Sequence, residues 1–405
     1  MEDAVATYEQ MLRERGRTTT ALAISIFLRR LPDRMEVVGH LRKRHEEGAA
    51  DLHHSVFLVQ VLCWEGRAEE AEQVVHDVLR RRAGFSIGGL RERIAAHLPG
   101  ARVTGSRFET YSGSPMQNFG FFEHAVEEPG GGSDPLVTKL ATLEYAGTEP
   151  LFMAGVYRPG TPLARVAPRP VDVFVPEGSD LCIITMEKAP GVELVVQDMT
   201  DPDVDRFLAA YRAVHDIGHG EVDHLFPDAP YNIAHSHAYL VPAMRKSHVP
   251  EHFAATNAWL VESVRQRGYT EEVRRMVERM VLTLEGSAFQ RRIRPALHYG
   301  LLHGDMHRYN VLRAGDEYRI IDWGQCGTGP KGIDLAVLFR RFPYGRTVAA
   351  LERAGWWGAW PAENRVLFAY ALVLVSVMID LQGIKDEPQE QLFGPATRAV
   401  TDAVG

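Results

Sequence analysis

Cysteine is almost missing from this chain. Cys63, Cys182 and Cys326 are the whole complement of 405 residues, and they lie far apart. That spacing offers neither a disulfide framework nor a metal knuckle, and it suits a reducing compartment. Long apolar runs are missing too. The longest, from Val366 to Ile379, falls short of the roughly 20 residues a membrane-spanning helix needs, so it reads as a buried helix. The chain begins Met1-Glu2-Asp3, without the basic and apolar stretches of a secretion signal, so a cytoplasmic location and no membrane partner are expected. Nor is there a basic excess. A formal net charge of −8 speaks against a nucleic acid gripped through its phosphates. With 45% hydrophobic and 24% charged residues the composition is that of a globular protein, and the length exceeds one core, so two or three structural units are expected.

What is present changes texture along the chain. Residues 1–98 read as helical throughout. Within them, 54–64 and 68–81 carry apolar residues at helical spacing (Leu58, Val61, Leu62; Ala71, Val74, Val75, Val78) around the turn Glu65-Gly66-Arg67, which predicts a helical hairpin. Such a prefix can pack on the following core or serve a protein partner or self-association. From about residue 101 strands alternate with turns: 106–111, 119–126 and 136–140, then 171–175 and 181–185. Residues 192–300 read as mainly helical.

The chemistry gathers near one point. His303-Gly304-Asp305-Met306-His307-Arg308-Tyr309-Asn310 is followed by the pair 311–313 and 318–321, turning at Ala314-Gly315-Asp316, and then by Asp322-Trp323. Phosphoryl transfer needs a carboxylate to orient the acceptor hydroxyl and oxygen ligands to hold Mg²⁺ against phosphates. Asp305 can fill the first role, and Asn310 and Asp322 the second. A step of five residues lets one loop aim Asp305 and Asn310 at the same place.

These blocks resemble the HGDxxxxN and IDW motifs of the aminoglycoside phosphotransferase and choline kinase-like family, relatives of the protein kinases. Gly329-Pro330-Lys331-Gly332-Ile333-Asp334-Leu335-Ala336 is similar to that family's G-P-x-x-x-D-L-A continuation, whose Asp braces the catalytic loop. The resemblance implies an α+β, bilobal protein kinase-like fold: an antiparallel-sheet N-lobe over 99–189 that binds nucleotide, and a mainly helical C-lobe over 190–405 with the catalytic loop and acceptor site. The helices of 1–98 would be an addition to it. It also implies ATP and Mg²⁺ as cofactors and a hydroxylated small molecule as acceptor.

Under that resemblance further residues take roles. Loop 112–118 would cover the phosphates with backbone N–H groups and the hydroxyls of Ser112 and Ser114, although it lacks a GxGxxG pattern. Lys139, on the face opposite Thr138 and Leu140, would meet the α- and β-phosphates. Its carboxylate partner is Glu149, with Thr148 as helix cap and Pro150 in the first turn, or else Glu144. Met186-Glu187-Lys188-Ala189-Pro190-Gly191 resembles the interlobe hinge, where backbone near Glu187 and Ala189 would read adenine. His303, His307 and Asp334 would support the catalytic loop, and His215 is expected to pack against it.

Three rival readings stay in view. A kinase-like enzyme could modify a macromolecule recruited by 1–98. A nucleotide-binding scaffold could lack turnover. A metallohydrolase could use His303, Asp305 and His307 as ligands. His215 and His219, four apart, could share a metal. The segment 191–230 carries Glu193, Asp198, Asp201, Asp203, Asp205, Asp216, Glu221, Asp223 and Asp228 against Arg206 and Arg212 alone. It would draw a cationic acceptor, or simply solvate helix faces.

Overall fold

The computed structural model describes residues 4–15, 21–48, 51–109, 118–127, 135–226, 244–381 and 390–404. Ser112 and Ser114 lie outside these described residues. The chain divides into two compact units, the first from residues 1–154 and 168–188, the second from 155–167, 189–231 and 236–405.

The first unit opens with helices α1 (Ala4–Arg13), α2 (Ala21–Arg30), α3 (Met35–Glu46), α4 (His53–Trp64), α5 (Ala68–Val78) and α6 (Ile87–Ala96). The predicted hairpin is α4 and α5, joined where Gly66 takes a positive φ of 71°. Helix α4 is buried on every side from His53 to Leu62, and its apolar residues ring the helix without leaving a solvent-facing stripe. A five-stranded sheet follows: β1 (Arg102–Glu109), β2 (Asn118–Glu127), β3 (Leu136–Thr142), the short helices α7 (Leu143–Ala146) and α8 (Glu149–Leu151), then β4 (Pro170–Phe174) and β5 (Leu181–Glu187). Its order is β1-β2-β3-β5-β4, every neighbour antiparallel. Residues 181–186 of β5 are all buried, so this strand reads as an apolar run and not as an alternation.

One face of that sheet and the six helices share a single core. Phe122, Leu136, Leu140, Leu181 and Ile183 pack into the same cluster as Tyr8, Ile24, Leu41, Phe57, Val75 and Leu90. A chain of polar side chains crosses the same face. Ser106 Oγ lies 2.7 Å from His124 Nδ1, His124 Nε2 2.8 Å from Thr138 Oγ1, and Thr138 Oγ1 2.7 Å from Thr185 Oγ1. Every link is bonded, which is the condition for burying it. Burial, with the Arg91 charge adding to it, holds His124 down at about 4. Helix α6 is tied to both edge strands: Arg91 Nε donates to Ser106 Oγ at 2.9 Å, and Arg93 Nη2 to Asp172 Oδ1 at 2.9 Å.

The second unit is mainly helical. In order it holds β6 (Val192–Glu193), α9 (Asp201–His215), α10 (His219–Val222), α11 (Pro250–Gln266), α12 (Glu271–Gly286), α13 (Pro295–His298), β7 (Tyr299–Leu302), β8 (Val311–Ala314), β9 (Glu317–Ile320) and β10 (Gly327–Pro330). Helices α14 (Ile333–Leu338), α15 (Tyr344–Arg353), α16 (Trp356–Ala359), α17 (Ala362–Leu381) and α18 (Glu390–Val404) close the chain. Helix α9 starts with a capping box, Thr200 and Asp203 exchanging hydrogen bonds around Pro202, as this sequence favours. The apolar run of α17 is its core helix, with residues 366–378 all buried. Among the described residues no helix is long and apolar enough to cross a membrane. Two small sheets, β6-β8-β9 and β7-β10, carry the loops that matter chemically.

Candidate active site

Strand β7 delivers the loop 303–310, and a buried carboxylate holds the loop's first turn. Asp334, in the first turn of α14 and wholly buried, accepts the His303 N–H at 2.7 Å, the Gly304 N–H at 3.0 Å and the Tyr211 O–H at 2.8 Å. Three donors satisfy this buried side chain. Burial, followed by the charge of Asp334, raises the Tyr211 phenol well above its ordinary value. Gly304 has φ +86°, and a Cβ there would come within 2.0 Å of the Gln325 carbonyl oxygen. Only glycine fits this turn.

Both ring nitrogens of His303 are engaged. Nε2 donates to the Ile321 carbonyl at 2.9 Å, Nδ1 accepts from the Asp305 N–H at 3.3 Å, and the ring meets Trp323 edge-on at 4.7 Å. The metallohydrolase reading, which needs this imidazole as a ligand, has no nitrogen left to use. His307 Nδ1 accepts the Tyr309 N–H at 3.2 Å, so the proton sits on Nε2, 3.4 Å from Asp305 Oδ2. Burial works to lower the His307 pKa. The Asp305 carboxylate, by charge and hydrogen bond, and Asp322 more weakly, outweigh it and raise the pKa above the ordinary imidazole value.

The hairpin sets Asn310 opposite Ile321, the residue before Asp322. Strands β8 and β9 pair Val311 with Ile320, so residue 310 stands opposite 321, and the Ile321 N–H donates to the Asn310 carbonyl at 2.9 Å. The Asn310 amide nitrogen donates to the Asp305 carbonyl at 2.9 Å, which turns the amide oxygen the other way. Asp322 takes φ +62°, one of two positive-φ residues other than glycine among the described residues. Asp tolerates that region better than most side chains, but such strain gathers at functional sites. An amide oxygen and a carboxylate are hard donors, a set that fits Mg²⁺ and not zinc.

The first unit holds a second cluster. Lys139 Nζ lies 2.7 Å from Glu149 Oε2, with both side chains almost fully buried, and 5.0 Å from the Tyr145 ring centre. Strand β3 places Lys139 on the face away from Thr138 and Leu140, the face that Cys182 shares. Burial, together with the Glu149 charge, pushes the Cys182 thiol up to about 12. Glu144 does not compete for Lys139, because it is engaged by Arg15 and lies 3.3 Å from His53 Nε2. Thr148, expected as a helix cap, makes no capping bond. Thr142 instead caps the preceding helix α7, its hydroxyl accepting the Tyr145 N–H at 3.2 Å. Glu187 ends β5, its carboxylate accepting the Arg169 N–H at 3.4 Å. The chain passes from the first unit to the second between Lys188 and Ala189.

Two expectations change. His215 is not set against the catalytic loop by its bonds: it stacks on Trp356 at 4.3 Å, and its Nε2 accepts from Trp360 Nε1 at 2.8 Å. Much of the acidic segment serves internal pairing: Asp201 with Arg346, Asp203 with Arg206 and Arg313, Asp205 with Arg353, and Asp223 with His219. A cationic acceptor has fewer free carboxylates there than the sequence offered. Tyr145 and Tyr211 were missed; nothing in the spacing marks Tyr211, 123 residues from the Asp334 it supports.

A model of the phosphotransferase enzyme family (APH) matches residues 135–367. No curated protein sequence matches the chain. Similar solved structures include aminoglycoside phosphotransferase APH(4)-Ia in a ternary complex with ADP and hygromycin B, at 14% identity over 78% of this chain and 97% of that one, TM-score 0.41. The amicoumacin kinase hAmiN, in complex with AMP-PNP and Ca²⁺, has 14% identity over 81% of this chain and 96% of its own, TM-score 0.43. A microcompartment-associated aminopropanol kinase has 13% identity over 78% and 95%, TM-score 0.40.

Proposed function

Because the chain belongs to the phosphotransferase enzyme family, we propose that it moves the γ-phosphoryl group of ATP to a hydroxyl of a small molecule in the cytoplasm. The acceptor class is an aminoglycoside, a sugar or aminosugar, an amino alcohol or a related metabolite. The observation that carries this reading is the pair of hydrogen bonds that tie Asn310 to Asp305 and to Ile321, the residue before Asp322.

Each residue has a task. Asp305 accepts a hydrogen bond from the acceptor hydroxyl and takes its proton late. The acceptor oxygen then bonds to the γ-phosphorus as the β–γ bridge breaks, and ADP leaves. His307, its Nε2–H toward Asp305, orients that carboxylate. Asn310 and Asp322 would hold Mg²⁺, which when bound neutralises charge on the phosphates. Lys139 carries positive charge to the α- and β-phosphates, and Glu149 keeps the ammonium in place. Glu187 and Ala189 would frame the adenine, with Ser112 and Ser114 over the phosphates. Positioning and charge neutralisation supply most of the rate.

The test is ATP consumption with a panel of aminoglycosides, aminosugars and amino alcohols, using Asp305→Ala as the blank. Asp305→Ala should lose acceptor-dependent turnover, by roughly 10³-fold or more, and still bind ATP. Asp322→Ala should lose the Mg²⁺ dependence of nucleotide binding as well. Wild-type turnover in Asp305→Ala would refute the assignment.

A further inference from the structure

The helices α1–α6 reach the residues that position Lys139, and the contact is a specific one. Between Lys139 and Glu149 the chain runs through α7, whose Tyr145 stands beside the Lys139 ammonium. At one end α7 is fastened by the Leu143 N–H to the Asp180 carbonyl at 2.6 Å and by the Thr142 cap. Its one charged side chain, Glu144, points to the helices instead. Arg15, just past α1, donates to Glu144 through Nη1 and lies 3.7 Å from Asp51 through Nη2. His53, the first residue of α4 and almost fully buried, bridges the same two carboxylates, with Nδ1 2.7 Å from Asp51 and Nε2 3.3 Å from Glu144. Arg15 and His53, from separate elements, thus converge on one carboxylate five residues before Glu149.

We propose that Arg15 and His53, through Glu144, act as positioning residues that hold α7 so that Glu149 stays on Lys139. On this view the helices preceding the sheet belong to the nucleotide-binding apparatus. The inference rests on the phosphotransferase reading, in which Lys139 meets the nucleotide. Freed from Arg15 and His53, α7 can rotate about Gly147, whose φ is +56°, and carry Glu149 away from the ammonium. The loss then falls on nucleotide affinity, not on acceptor recognition.

The experiment measures Mg²⁺·ADP binding to the full chain by calorimetry. Glu144→Ala should bind the nucleotide roughly five- to tenfold more weakly, the scale of losing one charge-assisted restraint. In a Glu149→Gln background the same substitution should weaken binding no further, because its effect passes through Glu149. Glu144→Gln, which keeps the side chain's shape and removes its charge, should weaken binding by a similar factor. Glu144→Gln keeps the proposal testable should Glu144→Ala fold poorly. Unchanged affinity in Glu144→Ala, or an equal loss in the Glu149→Gln background, would overturn the proposal while the phosphotransferase reading stands. A wild-type chain that takes up no nucleotide would instead remove that reading itself.

Discussion

Replacing Asp334 with Asn tests the brace on the catalytic loop with almost no change in shape. The carboxylate accepts three hydrogen bonds, one shared oxygen taking the His303 N–H and the Tyr211 O–H, the other the Gly304 N–H. An amide offers one acceptor oxygen and one NH₂. Whichever way it turns, a buried donor faces a donor. The loss is at least one charge-assisted bond plus an unsatisfied buried N–H, together about 2–4 kcal/mol. Tyr211→Phe removes one donor and leaves both backbone bonds, so it should cost about 1 kcal/mol. Hydrogen exchange at the His303 and Gly304 amides reads the brace directly, and thermal melts read its share of stability. Asp334→Asn should speed exchange at both amides and lower turnover, since Asp305 follows Gly304. Tyr211→Phe should speed exchange far less. Equal effects from the two substitutions, or protection at Gly304 unchanged in Asp334→Asn, would refute the reasoning.

Other outcomes follow from particular contacts. Gly304→Ala should abolish turnover and lower the melting temperature by several degrees, because the new methyl meets the Gln325 carbonyl at 2.0 Å in a backbone region that L side chains avoid; a fully active variant would show that the turn is adaptable. Lys139→Ala should weaken nucleotide binding and also destabilise the first unit by about 3 kcal/mol, since it leaves Glu149 buried without its ammonium; calorimetry and a melt on the same sample separate the two effects. His124 makes stability depend on pH. Folded, it titrates at about 4, and unfolded near 6.5, so above that pH it has no effect. As pH falls from about 6.5 to 4 the unfolded chain takes up a proton that the folded one refuses, a loss approaching about 3 kcal/mol. Urea midpoints at pH 7 and pH 5 should therefore differ more in wild type than in His124→Gln, and equal slopes would exclude His124 as the cause.

How much could be read from the residues depended on how local each feature is. The hairpin before Asp322 was legible, because two strands and a Gly-containing turn declare themselves within a dozen residues; β8 and β9 fall within one residue of the expected strands. The face of β3 that carries Lys139 was legible by alternation. The choice between Glu144 and Glu149 was not. Both follow β3 closely, and what separates them is Arg15, which lies 129 residues from Glu144 in sequence. The helices of 1–98 were visible as helices, but their partner was hidden, since an apolar stripe on a helix and an apolar strand do not say which surface each will cover. Distance along the chain likewise concealed Tyr211 and the two tryptophans that claim His215.

The shared core of helices and sheet has a practical consequence. A protein engineer who trims the chain back to its sheet, aiming for a smaller catalyst, would strip the cover from Phe122, Leu136, Leu140, Leu181 and Ile183. Wetting five such side chains forfeits about 10 kcal/mol, the scale of a whole domain's stability. The shortened product would clump, not fold, and its oily wall would need redesign before any activity could be sought.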